Sequence, residues 1–270
     1  GSRVSRYIEN AQSRIKRAEF ISWANKLNQA LDSNQLKLLC LPLSSIQETK
    51  DENHQFEVII SIAGEDGCQT PPLEYLQATE HYSHMHLVDR WVLEQLTDWM
   101  KEQKEEMNHI ESFILKLSGY FMNDEFLVSF LTEQIKDHGI PAHKLCFELH
   151  ETSAIQNIED ATYFMHKVRE LGCQFILSDF GSGKSSFEYL KRLPVDYVKI
   201  DQSFISDIMV SPADHAMVKS IHEIAQFMGK KTIAEKVHDT ITFDILRNIG
   251  IDLAMETNLE NALPFDQLMP

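Results

Sequence analysis

Positive charge is scarce in this sequence. Lysine and arginine number 25 against 41 aspartates and glutamates, a formal net charge of −16 over 270 residues. That deficit excludes general binding to nucleic acid or anionic membrane, where phosphate must be met by clustered lysine and arginine. It leaves room for one small phosphorylated ligand in a locally basic or metal-filled pocket. Cysteine is also sparse: Cys40, Cys68, Cys146 and Cys173 are the whole set, and none forms a CxxC pair. A disulfide scaffold is excluded, and a zinc ribbon or redox motif is disfavoured. Cys40, Cys146 and Cys173 sit among apolar residues and read as buried thiols of a reducing compartment. No apolar run reaches the ~18 residues of a membrane span, and no signal-peptide pattern opens the chain. Repeats and low-complexity tracts are absent. Gly1-Ser2 resembles the scar of a cleaved tag, so a cytoplasmic domain of a larger protein, membrane-anchored or not, is expected.

What is present is ordinary for a folded protein: 43% hydrophobic and 24% charged residues. From Arg3 to about Leu31 the apolar positions Ile8, Ile15, Phe20, Ile21, Trp23, Ala24 and Leu27 recur at helical spacing. Residues 1–22 read as tag scar plus a linker helix from a preceding domain, and residues 23–270 as the main domain. Strands are expected at Leu36–Leu43, Phe56–Ile62, Phe113–Leu117, Leu145–Leu149, Gln174–Asp179, Tyr197–Ile200, Thr232–Ala234 and Ile251–Ala254. Helical stretches fall between them, at Leu73–His81, Leu87–Met100, Glu125–His138, Ala161–Leu171, Ser185–Arg192, His215–Met228 and Ile241–Asn248. Strands alternating with helices indicate a parallel sheet, and eight of them in this length suggest an α/β (β/α)8 barrel. A doubly wound sheet is the competitor, but no Gly-rich fingerprint follows the first strand. The polar run Glu48–Gln55 reads as the turn of an antiparallel hairpin.

In such a barrel, functional side chains stand at the C-terminal ends of strands. The polar residues there are Glu57, Lys116, Glu148, Ser178, Asp179, Lys199 and Glu235. Any one alone reads as a solvated strand end. Together they bring four carboxylates and two lysines to one rim, and crowded like charges repel unless a metal or cation holds them. The sharpest local signal is Asp179-Phe180-Gly181-Ser182-Gly183, a strand-end carboxylate before a turn in which glycine allows close ligand approach.

The run SDFGSGKSSFEYLKRLPVDYVKIDQSFI, Ser178 to Ile205, strongly resembles the EAL-domain family. So do FELHETSA (Phe147–Ala154), IAEKVH (Ile233–His238), PPLEYLQATE with VDRWVL, and IGIDLA. The resemblance covers about Trp23 to Pro264. It implies a modified TIM barrel with an antiparallel first strand, and a protein that hydrolyses the bacterial second messenger cyclic di-GMP or serves as its degenerate receptor. Carried over residue by residue, the metal-ligand glutamate of the signature tripeptide falls at Glu57. Glu148 and Asp179 match further metal ligands, Lys199 the catalytic lysine, and Glu235 the first glutamate of the AEGVE motif. Other positions depart. Ser61 stands for a phosphate-contacting arginine, Lys116 for a metal-ligand asparagine, and Ser178 for the first aspartate of DDFG. Leu41 and Met255 stand for ligand-contacting glutamines. Lys236 and His238 replace the glycine and second glutamate of AEGVE, and His150 replaces a small residue.

Family hydrolysis relies on two divalent metals that activate water and neutralise phosphate charge. Hard cations need oxygen ligands. Lys116 removes one such oxygen and adds a positive charge, and Ser178 removes an anionic ligand. Lys116 either pairs internally with Glu57, Glu148 and Asp179 or swings to solvent and leaves a weak one-metal site; its apolar strand neighbours favour the first. Ser61 cannot make a bidentate phosphate contact, and Leu41 and Met255 offer nothing to a guanine edge. The resulting expectation is a catalytically inactive EAL domain that acts as a regulatory or protein-interaction module. The alternatives are a non-hydrolysing cyclic di-GMP receptor and a weak residual phosphodiesterase. No cofactor is expected, with Mg or Mn only in a residual site. The expected partner is a protein or an adjacent GGDEF-type or sensory domain, with a possible homodimer through the region after the DFG loop, weak cyclic di-GMP binding and no nucleic acid. His150 shares the parity of Glu148 and reads as a hydrogen-bonded rim histidine, while His81, His84 and His86 read as a solvated helix end or loop.

Overall fold

The structure, a computed structural model, describes residues 18, 21–23, 25–47, 54–64, 67–69, 85–104, 106–117, 125–182, 187–256 and 261–268. Most of the expected leading helix, the hairpin turn, the Leu73–His81 stretch, His81 and His84 lie outside them, as does the His86 side chain. The described chain divides into a smaller unit, within Gly1–Leu38 and Ile60–Glu94, and a larger one, within Leu39–Ile59 and Gln95–Pro270.

The strands are β1 (Leu36–Ser45), β2 (His54–Gly64), β3 (Gly67–Gln69), β4 (Ile110–Lys116), β5 (Leu145–His150), β6 (Gln174–Phe180), β7 (Tyr197–Ile200), β8 (Lys231–Glu235), β9 (Leu253–Met255) and β10 (Leu263–Pro264). Their order is β1-β9-β8-β7-β6-β5-β4-β2, and β1 also pairs with β2, so the sheet closes as an eight-stranded barrel. β2 and β4 to β9 run parallel to their neighbours, whereas β1 runs antiparallel to β9, with Leu43 opposite Met255. All eight expected strands form. In the larger unit β10 adds antiparallel to β1, Leu39 opposite Pro264. In the smaller unit β3 folds back on the end of β2, Ile62 opposite Gln69.

β5 and β7 are buried on both faces, as strands covered by helices outside and by one another inside must be. That is why they read as apolar runs broken only by Glu148, His150 and Lys199. Leu43, Ile114, Cys146, Ile176, Tyr197, Ile233 and Met255 meet inside as one packed layer, and Gln55 donates to the Tyr197 hydroxyl at 3.1 Å within it. Outward-facing rings pack against the helices: Phe175 lies 5.9 Å from both Phe147 and Phe164. Side chains alternate along a strand with period two. Two residues beyond the packed layer, the next inward positions are Lys116, Glu148, Ser178, Lys199 and Glu235. A charged layer therefore rests directly on the apolar one.

Helix ends are fixed by local chemistry. Ser211 caps helix Pro212–Phe227 by accepting the Asp214 N–H, and proline fills the first turn. Asp239 caps helix Thr240–Ile249 by accepting the Thr242 N–H at 2.8 Å. That helix stops at Gly250, where φ is +106° and a Cβ would stand 2.9 Å from His222 Nε2. His222 cannot retreat, because its Nδ1 is held 2.8 Å from Thr232 Oγ1. Gly250→Ala is expected to lower stability by about 1–3 kcal/mol through combined backbone strain and the clash. Urea unfolding would read this directly, and an unchanged midpoint would refute it.

Candidate functional site

Lys199, on β7, is fully buried at the centre of the charged layer. Its ammonium donates to Glu57 Oε2 at 3.1 Å, to Glu148 Oε2 at 2.5 Å and to Glu235 Oε1 at 2.9 Å. Lys116, on β4, reaches the other side of the same acids: its Nζ lies 2.9 Å from Glu57 Oε1 and 3.8 Å from Glu148 Oε1. Both oxygens of Glu57 and both of Glu148 thus face an ammonium. The geometry follows from register. Lys116 and Glu148 are directly opposite across β4 and β5, and Lys199 and Glu235 stand two residues past Tyr197 and Ile233 of the apolar layer, on the neighbouring strands β7 and β8.

The protonation states follow the same contacts. Burial alone would raise the Glu57 carboxyl, but the two ammonium groups hold it down to about 2. Burial would lower Lys116 and Lys199, yet the surrounding carboxylates push both above the usual lysine value. Three carboxylates and two ammonium groups form one mutually supported cluster, which is the condition under which buried charge is tolerated.

Asp179 lies apart from this set. The register of β6 against β7 shifts between Leu177 and Phe180, and Asp179 has φ of +55°. The bulge turns its side chain out of strict alternation, and its Oδ2 sits 2.7 Å from His150 Nδ1. Burial would raise the Asp179 carboxyl, but the bond from His150 and nearby positive charge lower it. Ser178 is buried and its hydroxyl donates to the Leu149 carbonyl at 3.5 Å, across the β5–β6 pairing. Leu41 and Met255 are fully buried. Ser61, in the smaller unit, is fully buried, and its hydroxyl makes no hydrogen bond among the described residues.

Two features escape the sequence reading. Glu151, 2% exposed, accepts the Gly181 N–H through Oε2 at 3.3 Å and so ties the turn after β6 to the end of β5. Lys236 adopts φ of +56° immediately after Glu235. That is a left-handed conformation native to glycine, and the replacement of the motif glycine was its only trace in the sequence.

The donor set can be tested for a divalent metal. Among the described residues, no three His, Cys, Asp or Glu side chains converge as a metal-ligand group. An ion on the Glu57 and Glu148 oxygens would stand about 4 Å from ammonium nitrogens. At an effective dielectric of about 20, a doubly charged ion there is opposed by roughly 8 kcal/mol per ammonium. In this arrangement the residues do not fit a divalent metal. A cavity of about 370 Å³ lined by Lys104, Met107, Asn108 and Lys144 lies at the opposite ends of β4 and β5 and includes none of these acids. No helix among the described residues is long and apolar enough to cross a membrane.

Comparison with known proteins places these motifs in context. The EAL domain matches residues 24–255. The chain is 34% identical over 233 residues to cyclic di-GMP phosphodiesterase PdeB of Shewanella oneidensis, covering 86% of this chain and 27% of that protein. It is 28% identical over 232 residues to cyclic di-GMP phosphodiesterase PdeF of Escherichia coli, covering 86% of this chain and 30% of that protein. The chain therefore spans less than a third of the length of these relatives. The FimX EAL domain from Pseudomonas aeruginosa, solved bound to c-di-GMP, superposes with a TM-score of 0.76 at 24% identity, covering 88% of this chain and 94% of that one.

Proposed function

This chain belongs to the EAL domain family, and from that premise we propose that it is a member that does not hydrolyse cyclic di-GMP and works as a regulatory, protein-interaction module in cyclic di-GMP signalling. The observation that carries the reading is the Lys116 ammonium, 2.9 Å from Glu57 and 3.8 Å from Glu148. Hydrolysis of a phosphodiester by metal-activated water needs a cation that can bind and acidify water, which an ammonium cannot do. Lys199 and Glu235 then act as structural counter-ions rather than as catalytic groups, and Glu57, Glu148 and Asp179 as remnants of a metal set with no resident cofactor.

The ligand positions support the same reading. Leu41 and Met255 are apolar and buried, and Ser61 has no charge to offer phosphate. Cyclic di-GMP binding is therefore weak, and the net charge of −16 adds nothing to attract a dianion or a nucleic acid. The output goes through protein contact, with an adjacent GGDEF-type or sensory domain, a separate protein or a second copy as partner. Met209, Val210 and Met217, 50%, 76% and 42% exposed, leave apolar surface after β7 that suits such a contact.

Hydrolysis of cyclic di-GMP should be measured with magnesium and with manganese. No turnover is expected; turnover that disappears in Glu57→Ala overturns the reading. Calorimetry with the dinucleotide separates the remaining cases. Absence of heat at high micromolar ligand supports a module independent of the messenger, whereas heat without turnover makes the domain a receptor.

A further inference from the structure

We propose that Lys116 is a tethered cation that occupies the place of a divalent metal, so that this one side chain closes the acidic site to metal and its replacement by asparagine opens it. The inference rests on the reading of the site given above and goes beyond it, because it assigns metal exclusion to one residue of this chain.

Three observations converge on Lys116. Its position is imposed by the strand: it follows Ile114 of the packed inner layer by two residues and directly opposes Glu148 across β4 and β5. Its ammonium takes the Glu57 oxygen that Lys199 leaves, at 2.9 Å, and approaches the remaining Glu148 oxygen at 3.8 Å. Finally, Lys199 is already committed to Glu57, Glu148 and Glu235, so the open valences of the two central acids all point to Lys116. With Lys116 in place, three carboxylates meet two ammonium groups. Without it, they meet one, and the free oxygens of Glu57 and Glu148 face the same space with unbalanced negative charge. Two glutamate oxygens and an asparagine carbonyl are a hard-oxygen set suited to magnesium or manganese.

The Lys116 side chain is 22% exposed, against 1% for Lys199. The tethered cation is therefore the outer of the two and stands on the solvent side of the acids. Removing it gives an ion a route in without dismantling the buried Lys199 cluster.

The test is manganese binding by the whole 270-residue chain, read by calorimetry and by the shift of the thermal unfolding midpoint with added metal. The wild-type protein is expected to show no binding at up to millimolar manganese and a midpoint unmoved by metal or chelator. Lys116→Asn is expected to gain at least tenfold in affinity and a midpoint that rises with manganese. Lys116→Gln, which keeps more of the side-chain length, takes its place should the asparagine variant fail to fold. Manganese binding by the wild type within threefold of the variant overturns the proposal, as does a folded variant that gains nothing. The two readings fail separately. Wild-type hydrolysis sinks the inactive module, while wild-type metal binding without hydrolysis sinks only the tethered cation.

Discussion

Lys199→Met is expected to cost this domain about 3–5 kcal/mol, the range for removing one partner of a buried ionic cluster. The side chain is 1% exposed and holds Glu57, Glu148 and Glu235 at 3.1, 2.5 and 2.9 Å. Methionine fills nearly the same volume, so the loss is electrostatic rather than a cavity. Glu57 and Glu148 are almost fully buried, and Lys116 alone would be left to balance all three acids. Urea unfolding of wild type and variant measures the difference. A loss below about 1 kcal/mol would mean that the cluster is wetter and less cooperative than its geometry implies. Adding Glu148→Gln to the methionine variant should recover part of the loss, because it removes one of the stranded charges.

Acid is the second strong perturbation. Glu57 is held at about 2 in the folded state against an ordinary value of 4.5. Its folded value is depressed, so the stability it contributes is complete above about 4.5 and lost as pH falls toward 2. The full shift corresponds to about 3 kcal/mol. Asp179, lowered by His150 and nearby positive charge, acts in the same direction. Lys199 is raised, so its contribution is intact below the ordinary lysine value of 10.5 and fades only at strongly basic pH. The thermal midpoint should therefore stay level from neutral pH to about 5 and then drop steeply. Glu57→Gln should flatten that acid limb, and a limb of unchanged slope in the variant would refute the assignment.

Much of this was written in the strands. The run LCFELH places Cys146 in the apolar layer and Glu148 above it by simple alternation, and YVKI does the same for Tyr197 and Lys199. Alternation is a property of residue order, so the membership of the charged layer was legible. Pairings were less so. The sequence joined Asp179 to Lys116, but the bulge in β6 gives Asp179 to His150, and a bulge depends on backbone torsions that residue order hardly records. Helices Glu151–Gln156 and Gln202–Ser206 are too short to show a helical period. β3 and β10, of three and two residues, carry no strand pattern.

The stacking of a charged layer on an apolar one has a consequence for descent. The packed layer ends at Ile114, Cys146, Ile176, Tyr197 and Ile233, and chemistry begins two residues later on each strand. Selection can therefore rewrite the upper tier by point substitution without touching what holds the barrel closed. An inserted or deleted residue within a strand is a different matter, since it exchanges the inner and outer faces at once. Change at the rim of such a barrel is then a matter of exchanged side chains at constant strand length. A lysine that brings its own counter-charge into the upper tier can be accepted in a single step.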